Sequence, residues 1–131
     1  MRFRCLSGLL VGMGVLCAGP ASAHHAASVA YDVDKEVTVQ GVVTDVKWEN
    51  PHTWIYVDAT DATDASGKVV KWSFEGAVPN QLYRRGVTPS VLKPGVAVTI
   101  KARPARDASR RVGELTEVVA ADGRAIRAGV R

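Results

Sequence analysis

Val37-Thr38-Val39-Gln40-Gly41-Val42-Val43-Thr44-Asp45-Val46-Lys47-Trp48 is the stretch on which the reading of the fold turns. Val37 and Val39 share one parity, whereas Val42, Val46 and Trp48 share the other. Successive side chains of a strand point to opposite faces, so one strand cannot keep both sets inward unless an extra residue is inserted. Gly41 stands where the phase changes, and a β-bulge is expected near it, in a long and strongly coiled first strand.

Downstream, Asn50-Pro51 makes a turn, because proline fixes its own φ and pushes the preceding residue out of the helical region. Residues 53–59 then alternate, with His52, Trp54, Tyr56 and Asp58 on one face and Thr53, Ile55 and Val57 on the other. After a polar loop over 61–67, Val70, Trp72 and Phe74 alternate with Lys71, Ser73 and Glu75, a half-buried third strand. Pro79 suits the first turn of a short helix that Gly86 stops, and Thr88-Pro89 starts a further turn reaching Leu92. A fourth strand is expected through Val96, Val98, Ile100 and Ala102, then a basic loop, then a fifth over 112–119. Asp122-Gly123 turns the chain, and Ile126 can extend the sheet.

Three strands, a short helical connection and two more strands, the first long and bulged, is the order of an all-β, five-stranded OB-like Greek-key barrel. A plain antiparallel barrel or sandwich of another topology is the alternative. The expected division is a signal peptide over 1–23, an irregular arm over 24–36 pinned by Tyr31, the barrel over 37–127, and a tail over 128–131.

The signal is read from Arg2 and Arg4, an apolar run over 5–18, Pro20, and a small-x-small end at Ala21 and Ala23. The run is too short for a comfortable membrane span, with a retained N-terminal anchor as the other reading. A cut after Ala23 leaves 108 of the 131 residues, a periplasmic or secreted chain with no stable membrane span. Cys5, Cys17, Met1 and Met13 all fall before the cut, so one core must hold the mature chain without disulfides. Residues 24–83 carry 4 basic and 9 acidic side chains, and residues 84–131 carry 11 and 4. The basic half can face an anionic partner or simply be solvated surface.

His24-His25, Tyr31-Asp32, the Trp-Glu-Asn-Pro-His run over 48–52 with Trp54 after it, Pro79-Asn80 with Leu82 and Arg84-Arg85-Gly86, and Leu92-Lys93-Pro94-Gly95 together resemble a group of exported bacterial proteins known as a domain of unknown function. The resemblance spans nearly the whole mature chain. It implies export and a small barrel, and it implies no activity.

Maturation at Ala23 would expose the α-amine of His24, which can chelate a metal together with its own Nδ1. His52, at the rigid mouth of the second strand, is the better third ligand, because His25 points to the opposite side of an extended arm. Nitrogen ligands in a planar set, with no thiolate or thioether, favour Cu(II), with zinc as the alternative. This is similar to the histidine brace of exported copper proteins, on His24 and His52 alone. The ligands must shed protons, so affinity falls as the pH drops below about 7. The competing reading solvates His24 and His25 and makes His52 a structural donor to a carbonyl or carboxylate.

A second candidate is the face carrying Trp54, Tyr56 and Asp58, since OB barrels bind ligands through rings on strands two and three. That half is net acidic, which excludes nucleic acid and leaves a glycan, a small ligand or a protein partner. The other reading puts Trp48, Trp54, Trp72 and Phe74 in the core. Asp58 and Glu75 are a weak candidate carboxylate pair, and no catalytic residue is assigned. Without a nucleophile motif, phosphate loop or cysteine cluster, a copper oxygenase is the one enzyme class that stands.

Overall fold

The computed structural model describes residues 29–63 and 65–129. The expected cleavage seam, His24 and His25 lie outside the described residues. The elements are β1 (Val37–Lys47), β2 (Thr53–Thr63), β3 (Val69–Gly76), α1 (Pro79–Arg85), β4 (Ala97–Pro104), β5 (Val112–Val119) and β6 (Ala125–Arg127). The sheet runs β3-β2-β1-β4-β5-β6, and a parallel β3–β5 pairing closes its first five strands into a barrel. This is the expected OB-like order, with the short helix between strands three and four. β6 extends the sheet through Ile126, which pairs with Val118.

The bulge lies elsewhere than Gly41. Pairing with β2 is regular from Gly41↔Ala59 to Val43↔Val57 and then shifts, so that Asp45 faces Tyr56 and Thr44 is the inserted residue. Val39, Gly41 and Val43 are buried on one parity, and after the insertion Val46 and Trp48 turn inward. Val42 and Val43 are both valine, so either could have been the inward one, and a glycine carries no side chain to mark its parity. Gly41 has a different task. A Cβ there would collide with the Asp58 carbonyl oxygen and the Val57 Cγ1, so its absence lets β2 cross close over β1. β2 also runs further than residue 59, to Thr63.

Inside, Ile55, Phe74, Leu82, Leu92, Ile100 and Leu115 are fully buried, and each stabilises by about 1.5–3 kcal/mol. α1 contributes Leu82 to this core. Pro79 sits in its first turn, and Gly86 ends it at φ 93°, with the Val87 amide donating to the Leu82 carbonyl at 2.9 Å. The next turn, closed by the Leu92 amide on Thr88 at 3.0 Å, brings Leu92 inward as well. No helix among the described residues is long and apolar enough to cross a membrane.

The arm is sewn to the barrel wall at Tyr31. It forms an isolated antiparallel bridge with Ala105, flanked by bonds from the Asp32 amide to the Pro104 carbonyl at 2.9 Å and from the Arg106 amide to the Ala30 carbonyl at 3.1 Å. Tyr31 is 6% exposed.

Because backbone and a valine methyl occupy the space a side chain at residue 41 would need, Gly41→Ala should destabilise the protein by about 1–3 kcal/mol, as overpacked cores do. The check is urea unfolding followed by tryptophan fluorescence, and a midpoint equal to wild type would refute the close crossing.

Candidate functional site

The β3–β5 closure sets the site. Its three paired rows are Ser73↔Val112, Phe74↔Gly113 and Glu75↔Glu114, so two carboxylates stand side by side on the outer face. Like charges directly opposed on neighbouring strands destabilise a sheet unless each finds a counter-group. Arg103, one strand over on β4, takes Glu114 at 3.1 Å. Glu75 is held by two others: His52 Nδ1 lies 3.2 Å from its Oε1, and the Tyr31 hydroxyl donates to its Oε2.

His52 is therefore both exposed and oriented. Its side chain is 50% exposed, just before β2 begins, in the turn that contains a cis Asn50–Pro51 peptide. A carboxylate on Nδ1 fixes the ring and leaves Nε2 as the nitrogen for another partner. The alternative of His52 as a hydrogen-bond donor to a carboxylate and the alternative of a metal ligand thus employ the same geometry, one nitrogen each.

Tyr31 is a residue that sequence reading treats as a pin and nothing more. Burial raises its ionisation above the ordinary tyrosine value of 10.0, and the hydrogen bond to Glu75 and the charges of Glu75 and Glu114 push it the same way, with Arg110 opposing. Glu75 is the member that sequence reading pairs wrongly. Its row on the sheet contains Trp54, whereas Asp58 faces Lys71, so the acidic neighbour of Glu75 is Glu114 and not Asp58. The available signal was parity: Glu75 shares the outward parity of β3 with Lys71 and Ser73, but its distant partners come only from closure.

Trp54, Tyr56 and Asp58 lie together on the outer face of β2, each partly buried, with Ile55, Val57 and Ala59 buried beneath. Across the ladders, Trp54 stands between Lys47 and Glu75, Tyr56 between Asp45 and Ser73, and Asp58 between Val42 and Lys71. The Lys47 ammonium lies 5.7 Å from the Tyr56 ring centre. The other aromatics divide: Phe74 is core, Trp72 stacks on it at 5.6 Å under the Arg111 guanidinium, and Trp48 packs at the core margin against Tyr83 at 5.2 Å. Trp54 belongs to the outer face.

A family model described as a family of unknown function, DUF6152, matches residues 13–114. No curated protein and no solved structure matches the chain.

Since folding favours the neutral phenol of Tyr31, that contribution to stability is complete below pH 10.0 and is lost as the pH rises through the folded value. Above about pH 10, the urea midpoint of wild type should fall more steeply with pH than that of Tyr31→Phe. Parallel curves would remove the buried hydroxyl from the linkage.

Proposed function

The chain belongs to the DUF6152 family, of unknown function, and for this member we propose an exported small β-barrel protein that binds Cu(II) through the mature N-terminal His24 and His52, with His25 as substitute ligand. The observation that carries the reading is the 3.2 Å contact of His52 Nδ1 with Glu75 on a half-exposed ring. Histidines that ligate metals commonly hold a carboxylate on the second nitrogen, which fixes the tautomer and raises ligand basicity. His52 carries that arrangement on a strand mouth, where a ligand is held more rigidly than on a loop.

Tyr31 adds a second support. It ties the arm to the same carboxylate that holds His52, and it follows His24 by seven residues. Residues 29 and 30 are helical, so the segment from which the terminal amine would return to His52 reaches about 20 Å at most. Nitrogen donors without sulfur favour copper over softer-metal chemistry, and the role that follows is carrying, storing or sensing the ion.

The outer face of β2 supports a second reading. Trp54 and Tyr56 keep part of their rings in solvent above a complete core, which suits a non-enzymatic module for a glycan, a small ligand or a protein partner.

Two measurements separate these readings. Calorimetric titration of Cu(II) into protein beginning at His24 should give strong binding that weakens below about pH 7 and is lost when one residue is added ahead of His24. Glu75→Gln should weaken it about 10–100-fold. Equal affinity with and without the added residue would eliminate the N-terminal chelate. For the module, Trp54→Ala should keep the far-ultraviolet spectrum of the folded barrel while losing retention on immobilised glycan or partner, and an unfolded variant would return Trp54 to the core.

A further inference from the structure

Two hollows on the described surface differ in how their charged linings are paired. The larger, about 690 Å³, runs between the arm and the β4–β6 wall. Ion pairs form within its lining: Lys101 lies 2.9 Å from Glu117, and Arg103 lies 3.1 Å from Glu114. The smaller, about 360 Å³, opens beside the Thr44 insertion, where β1 departs from regular pairing with β2. Bulges commonly re-aim side chains next to binding sites, and this volume falls within the range of small-ligand clefts.

Four charged groups line the smaller hollow, Asp45 and Lys47 from β1, Asp58 from β2 and Lys71 from β3, around Tyr56, with Thr44, Val57 and Trp72 completing the lining. Their formal charges cancel. Yet among the described residues none of the four is in an ion pair. Asp58 and Lys71 are direct cross-strand neighbours and still do not join. Asp45 accepts only the adjacent Val46 amide, at 2.8 Å, and Lys47 lies over the Tyr56 ring.

A ligand of one sign gains at two of these groups and is repelled by the other two. A ligand with both signs gains at all four. We propose that this recess binds a small zwitterion with an apolar side chain, a free amino acid or a dipeptide. Its ammonium is held by Asp45 and Asp58, its carboxylate by Lys47 and Lys71, and its apolar part lies beside Tyr56. The site is independent of the copper reading. It rests on the second reading only in placing a ligand on the outer face of β2, and it names that ligand's class.

The test is amide chemical-shift mapping on the folded mature protein, with EDTA present so that metal chelation by the amino acid plays no part. The probes are L-leucine, L-leucyl-L-leucine, the doubly blocked N-acetyl-L-leucine amide and the neutral sugar cellobiose. A zwitterion site of exposed charges should show a dissociation constant on the order of 1 mM for the free amino acid or dipeptide. The shifts should centre on residues 44–47, 56–58 and 71–72. The blocked amide and cellobiose should leave these signals still, and Lys71→Met should weaken the zwitterion up to about fivefold with the rest of the spectrum unchanged. Equal shifts with the blocked amide or the sugar would overturn the proposal, as would no shift with either zwitterion about tenfold above that concentration. Lys47 and Lys71 lie outside the Trp54, Tyr56 and Asp58 platform. The result with Lys71→Met therefore stands or falls separately from partner retention by Trp54→Ala.

Discussion

Glu75 and Glu114 are brought side by side by the three rows of parallel pairing that join β3 to β5. The middle row is Phe74 against Gly113, and a Cβ at residue 113 would lie 2.8 Å from the Ala102 Cβ and 3.3 Å from the Phe74 ring. The barrel can shut there only because β5 presents a bare backbone to both neighbours. Shutting it forces two carboxylates together, and a sheet tolerates that juxtaposition when each acid is given a counter-group. Arg103 serves one, while His52 and Tyr31 serve the other.

From that closure the rest of the site follows. His52 is oriented because Glu75 needs a donor, and the arm is fixed because Tyr31 supplies a second one. The same carboxylate therefore links a residue ahead of β1, a residue ahead of β2 and the end of β3. The histidine ring stays half exposed, so the arrangement that satisfies the acid also leaves a nitrogen on the surface. The contact with Glu75 engages Nδ1 and does not occupy Nε2.

The outer face of β2 is organised differently. There the cross-strand rows mix aromatic and charged residues, and the Thr44 insertion interrupts the regular ladder beside them. Gly41 on the inner side and Thr44 on the outer side divide the work of bending β1: the first allows close crossing, the second reverses the parity so that Val46 and Trp48 reach the core. A sequence reading that gives both tasks to Gly41 finds the bend and misplaces the insertion by three residues, because the adjacent valines at 42 and 43 carry no information about which faces inward.

Local chemistry made much of this protein readable from its residues alone. Alternation along β2 and β3, Pro79 and Gly86 around α1, and the count of strands before and after it all act through neighbours a few positions apart, and the barrel order follows from them. The same alternation assigned Trp54, Tyr56 and Asp58 to one outward face. What only the tertiary structure decided are the contacts between residues far apart in the chain. Tyr31 meets Glu75 across 44 positions, and Glu75 meets Glu114 rather than Asp58. No periodicity encodes such meetings. They arise where a curved sheet returns upon itself, and the electrostatics of that return chose the partners of His52.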